Sequence, residues 1–266
     1  MLVACFIMSS TAHAQLKVTA HRGASGYAPE NTLASVRKAL EIGVDRVEVD
    51  VQQTKDGIVV CLHDKKLDRT TDGKGFIRKF NWSDIETLKA NAGFESEFPE
   101  ETIPTLEQVF ELMDGRTEFV IEIKAGRQYY PGIEDNVVQL IRMYNAQKWA
   151  VVHSFNDLVL EYINDHYPEI RLQKLFVHKP SWLPLMLDFR LHWAGLSDYT
   201  YVEAFGISLK GTTWAIVQRA HELGKKVHVW TVNEPNDIQR MIDLEVDGII
   251  SNYPVRVKEL RAAAKR

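Results

Sequence analysis

Cysteine is nearly absent from this chain: Cys5 and Cys61 are the only two in 266 residues. Cutting away a leader that carries Cys5 leaves one thiol and no internal disulfide. Cys61 lies in the apolar run IVVCLH and reads as a packed core residue, with nothing to mark it as a nucleophile. Positive charge is not in excess either. A formal net charge of −4 argues against nucleic acid as the main partner, since a phosphate-binding surface is basic overall. A small anion is still allowed, because one arginine, one lysine and a bound cation make a local positive site. Past the N-terminus there is no apolar run long enough to span a bilayer, and no low-complexity tract or interdomain linker.

What is present is an ordinary globular composition, 45% apolar and 26% charged, with enough chain for a large core. Length alone permits two domains, but an α/β barrel uses this much chain as one, and 15–266 is expected to be a single domain. The first fourteen residues, MLVACFIMSSTAHA, run from apolar to small and polar and end in Ala12-His13-Ala14. That pattern resembles a signal peptide with its cleavage site, although a positive n-region is missing. Export to the periplasm or beyond is the expectation, with a buried N-terminal strand in a cytoplasmic protein as the alternative. Leu2 to Cys5 also looks like a lipoprotein box, but its apolar run follows the cysteine instead of preceding it.

Beyond the leader, strand-like and helix-like segments alternate. Strands are expected at 18–20, 46–52, 58–63, 119–124, 150–154, 171–176, 204–209, 226–231 and 248–251, mostly short and β-branched as strands buried on both faces are. Amphipathic helices are expected at 32–42, 105–113, 133–144 and 214–223, and Gly43, Gly115 and Gly224 each follow a helical run as C-caps do. Repeated units of this kind predict a (β/α)8 barrel. One stretch breaks the rhythm: 65–101 is polar and loop-rich with a short helix expected in NWSDIETLKA, and it reads as an insertion after the second strand.

Glu48 and Asp50 in VEVDV are two apart on a strand, so they share one face while the valines take the other. Two carboxylates on the inner face of a barrel strand are costly unless something binds them. A cation at the catalytic mouth is one solution, and an ion pair with Arg46 or Arg37 is the other. Glu122 and Lys124 in FVIEIK repeat the arrangement on the next strand. Three carboxylates make a hard oxygen site suited to Mg²⁺ or Ca²⁺. His21 ends the first strand and His63 the hairpin after the second, so both are expected at the same mouth, as general acid and general base. Arg22 offers a fork for two phosphate oxygens, or else a salt bridge to Glu30 or Glu48. Lys124 adds a further positive charge. Trp230 either packs against substrate or is a core aromatic. Glu30 and Asn31 are expected to hold the loop, His221 to lie on a helix surface and His228 to pack within a strand. His153, His178 and His192 carry no assignment.

The motifs HRG, PENT, EVD, HD, DRTTDGKG, IPTLEQVF, EIK, HSF and VWTVNEPNDIQRMIDLEVDGIISNYP follow one another along the chain. In that order they resemble the glycerophosphodiester phosphodiesterase family over nearly the whole sequence. The resemblance implies a TIM barrel whose small insertion covers the active-site face. It also implies metal-dependent hydrolysis of a glycerophosphodiester to sn-glycerol 3-phosphate and an alcohol, with attack by the glycerol 2-hydroxyl or by water. One rival is a phosphodiesterase acting on lysophospholipids or sphingomyelin, for which the apolar stretch 181–196 is a candidate lipid-facing element. Another is a non-catalytic binder of phosphodiesters, which should lack a ligand or a histidine, and none is missing. At 251–254 SNYP stands where the family usually has Thr-Asp-x-Pro, a change expected to touch loop contacts only.

Overall fold

Eight parallel strands close on themselves in the computed structural model, which describes residues 15–176, 186–187 and 193–264. In chain order the elements are β1 (Lys17–Ala20), α1 (Leu33–Ile42), β2 (Arg46–Gln53), β3 (Val59–Cys61), α2 (Leu106–Met113), β4 (Glu118–Ile123), α3 (Ile133–Met143), β5 (Ala150–Ser154), α4 (Asp157–His166) and β6 (Arg171–Phe176). There follow a small hairpin, β7 (Met186–Leu187) and β8 (Trp193–Ala194), then β9 (Ala204–Ser208), α5 (Trp214–Glu222), β10 (Lys226–Trp230), α6 (Pro235–Asp243), β11 (Gly248–Ser251) and α7 (Pro254–Ala263). The barrel runs β1-β2-β4-β5-β6-β9-β10-β11 and closes where β11 pairs with β1. The expected barrel is therefore present, with one variation: among the described residues no α-helix links β6 to β9.

Alternation along each strand sorts the side chains. Val47, Val49 and Val51 of β2 and Phe119, Ile121 and Ile123 of β4 point outward into one apolar layer with Val36, Leu106, Val109 and Phe110 of the surrounding helices. Each such side chain contributes roughly 1.5–3 kcal/mol by leaving water. Cys61 packs in the same layer, and burial raises its thiol pKa. Inside the barrel many positions are polar, beside Val120, Val151, Leu175 and Ile250, where branched apolar residues usually dominate. At the N-terminal end of the strands Arg46, 1% exposed, pairs with Glu118 at 2.8 Å and reaches His228 and Gln173 at 3.1 and 3.3 Å. His228 is thus part of the barrel floor, not merely strand packing. His221 is a half-buried helix residue bonded to Asp247 at 2.8 Å.

The insertion keeps its own small apolar cluster of Leu67, Ile77, Ile85 and Ala90, seated on Val60, Leu62 and Ile103. The helix expected in 81–90 is a single 3-10 turn, Trp82–Asp84. Asp84 closes a capping box by accepting from the Asn81 N–H at 2.9 Å, and Asp56 takes the Trp82 N–H, so the start of the turn is capped although it does not extend into an α-helix. The strand expected over 58–63 is shortened to β3, antiparallel to β2. Residues 1–14, His178, His192 and most of the candidate lipid-facing stretch lie outside the described residues.

Candidate active site

The C-terminal ends of β1, β2, β4 and β5 place the predicted polar residues together. Parallel register sets Asp50 beside Glu122, and Glu122 beside His153. His153 Nε2 stands 3.6 Å from Glu48 and 3.9 Å from Glu122. One donor atom from each of these three residues lies within 4.8 Å of the other two. All three are buried; Glu48 Oε1 and both His153 nitrogens lack a hydrogen-bond partner, while Glu122 Oε1 and Asp50 Oδ1 face Lys124 Nζ at 2.7 and 3.4 Å. Burial and then the Asp50 charge push Glu48 up to about 7, and burial pushes Glu122 up to about 7 against the pull of Lys124. His153 is pushed down to about 4 by burial, so it is a neutral imidazole at physiological pH. Buried oxygens that resist ionisation, converging with a neutral nitrogen, fit a divalent cation.

Asp50 also anchors two cations. It accepts from Asn31 Nδ2 at 2.9 Å and lies 3.2 Å from Arg22 Nε and 3.4 Å from Lys124 Nζ. Burial opposes its ionisation, yet Lys124 and Arg22 hold it well below the usual carboxylate range. The alternative ion pairs with Arg46 and Arg37 are not made: Arg46 belongs to the floor and Arg37 is exposed. Asn31 takes a left-handed backbone (φ 58°), which asparagine tolerates, and grips β2 twice by also accepting the Asp50 N–H at 2.9 Å. Thr32 then caps α1 by accepting from the Ser35 N–H.

Arg22 Nη1 pairs with Glu30 at 2.9 Å, and the Arg22 N–H donates to Glu48 Oε2 at 2.8 Å. Gly23 makes this turn possible: its φ is 73°, and a Cβ there would sit 2.3 Å from Ser35 Oγ. Glu30 in turn takes both terminal nitrogens of Arg69, whose Nε holds Asp64 at 2.7 Å. Asp64 accepts from His63 Nδ1 at 2.6 Å. One chain of charges thus runs from β2 through the insertion's Arg69 to His63.

His21 Nδ1 is 2.6 Å from Asn252 Oδ1. The change at 251–254 is therefore not confined to loop contacts, because Asn252 orients this imidazole. Burial is the main reason the pKa of His21 is lowered; burial also lowers that of His63, with the Asp50 charge and then the Asp64 bond pulling the other way. Lys124 bonds Glu122 at 2.7 Å; burial works against its charge, but Glu122 and Asp50 hold its pKa above the ordinary value. His21, Arg22, His63, Lys124 and Trp230 all line one cavity of about 110 Å³. Trp230 is only half-buried, meets Phe155 edge-on at 5.2 Å and has a buried, unbonded indole N–H, so it faces the site instead of the core.

His153, Arg69 and Asn252 are the additions the structure makes. The alternation in AVVHS puts His153 on the inner face, which was the available signal.

The glycerophosphoryl diester phosphodiesterase family model matches residues 21–256. The chain belongs to that family. A glycerophosphodiester phosphodiesterase of Caldanaerobacter subterraneus is 37% identical over 242 residues, covering 89% of this chain and 94% of the relative. Human glycerophosphodiester phosphodiesterase 1 is 42% identical, covering 82% of this chain and 72% of its own. Among solved structures, an Oleispira antarctica phosphodiesterase in complex with the product sn-glycerol-3-phosphate superposes with a TM-score of 0.82 at 29% identity, covering 91% of this chain and 95% of that one. In this family member the matched region begins at His21 and includes every residue of the cavity described above.

Proposed function

We propose that the protein hydrolyses glycerophosphodiesters to sn-glycerol 3-phosphate and an alcohol. The observation that carries this reading is the convergence of two differently partnered histidines and two phosphate-grade cations on buried carboxylates beside a neutral histidine. Glu48, Asp50 and Glu122 are assigned to a divalent cation, Mg²⁺ or Ca²⁺, with His153 as a neutral fourth donor. When bound, that ion supplies polarisation of a phosphoryl oxygen.

Arg22 and Lys124 bind the remaining phosphate oxygens, and Trp230 packs against the glycerol. The partners of the histidines divide their labour. His21 donates its Nδ1–H to a neutral amide, which leaves Nε2 free to accept the proton of the attacking hydroxyl. His63 donates to a carboxylate, which offsets part of the burial that lowers its pKa, and it also lines the larger cavity next door, where a leaving group fits. His63 therefore protonates the departing alkoxide. Attack by the glycerol 2-hydroxyl through a cyclic phosphate suits the placement of His21 in the smaller cavity. Replacing either histidine by alanine is expected to abolish turnover while leaving cation affinity nearly intact, as read by calorimetry. Retained activity in both variants refutes the assignment. Export rests on the leader-like first fourteen residues. N-terminal sequencing of the protein from its native host tests it, and cleavage after Ala14 is the expected result.

A further inference from the structure

A second cavity, of about 720 Å³, opens from the first and shares His63, Glu122, Lys124 and Phe155 with it. Its far wall is built from Lys65 of the insertion together with Gln128 and Tyr129 of the β4–α3 loop. The Lys65 ammonium and the Arg78 guanidinium both lie 4.3 Å from the centroid of the Tyr129 ring. The face of that aromatic ring is already taken by the protein's own cations, so it does not offer a cage for a quaternary ammonium. Lys66 and Lys79 stand close by, over Phe76. None of these four cations has an ion pair among the described residues. The nearby carboxylates are committed elsewhere. Asp64 holds His63 and Arg69, while Glu134 and Asp135 hold Arg127.

Next to the reacting centre there is thus a roomy cleft whose outer wall carries Lys65, with Arg78 beside the lining on the same Tyr129 ring and neither cation in an ion pair among the described residues. We infer that this cleft is the leaving-group subsite and that Lys65 and Arg78 select head groups bearing a carboxylate. The inference rests on the proposed reaction and adds its substrate preference. The zwitterionic choline and ethanolamine diesters place a positive charge where Lys65 and Arg78 already stand. A serine head group adds a carboxylate at the same reach.

sn-Glycero-3-phosphoserine and sn-glycero-3-phosphoethanolamine differ by that one carboxylate, so the ratio of their kcat/KM values isolates the effect. At low ionic strength the ratio is expected to favour serine by about threefold to tenfold, as for exposed charge pairs, and to shrink with added salt. It should fall to about one in the double variant Lys65→Ala/Arg78→Ala. Lys74→Ala, which removes an exposed charge of the insertion away from the cleft, should leave it unmoved. A wild-type ratio at or below one overturns the inference, as does a ratio the double variant fails to change. A ratio that Lys74→Ala lowers equally reduces the effect to general charge and also overturns it. In each of those cases the phosphodiesterase reading stands; absence of turnover on both diesters removes that reading itself.

Discussion

Asn252→Asp is the sharpest perturbation of the proposed division of labour. Asn252 Oδ1 meets His21 Nδ1 at 2.6 Å, and the substitution turns a neutral acceptor into a carboxylate without changing shape. Unit charges about 4 Å apart interact by about 4 kcal/mol at an effective dielectric near 20. Burying the new carboxylate takes back part of this, so the expected rise of the His21 pKa is about one to three pH units. His21 acts as a base only when neutral. The acidic limb of the kcat/KM profile should therefore move up by that amount, with activity on that limb falling about tenfold or more and returning as the pH rises. The stability change has a definite sign too. Raising the folded-state pKa of His21 stabilises the variant relative to the parent on the acid side, and that gain is lost as pH rises through the variant's folded value. A steady-state pH series on both proteins decides the matter. An unmoved acidic limb refutes the role of His21 as base, and a shift of the basic limb alone would make it the acid.

Other perturbations test other parts of the arrangement. Because Glu48 and Glu122 are pushed up to about 7, protons compete with the cation, and its affinity should rise from pH 6 to pH 8 on the order of tenfold to a hundredfold, measurable by calorimetry. His153→Ala should weaken cation binding about tenfold; unchanged affinity would remove it from the donor set. Arg69→Ala cuts the link from Glu30 to Asp64 and should lower kcat about tenfold with little change in KM, since His63 loses its orientation. Glu118→Gln strips the buried Arg46 of its partner carboxylate and should cost about 3–5 kcal/mol in urea unfolding, while a loss under about 1 kcal/mol would show the floor to be better compensated than its geometry indicates.

Much of the site was legible because strand alternation is a local signal. VEVDV and FVIEIK announce which side chains face inward, and the structure places Glu48, Asp50, Glu122 and Lys124 together at one mouth. His21, Arg22, His63 and Trp230 join them as strand-end residues should. What remained hidden depends on contacts between distant segments. A single histidine in AVVHS looks like core until the β4–β5 register sets it beside Glu122. Asn252 lies 231 residues from the imidazole it orients, and no periodicity links the two. The role of Arg69 depends on how the insertion folds back over the mouth, which its loop-rich composition does not encode. The polar floor escaped notice for a similar reason: Arg46, Gln173 and His228 sit on three different strands.

The most direct test of the central claim is release of sn-glycerol 3-phosphate from a glycerophosphodiester by metal-stripped protein, before and after addition of Mg²⁺ or Ca²⁺. The convergence of Glu48, Glu122 and His153, with Asp50 beside them, predicts a silent stripped protein and restored release with the cation. Equal release without any cation, or none from folded and cation-loaded protein, would contradict it.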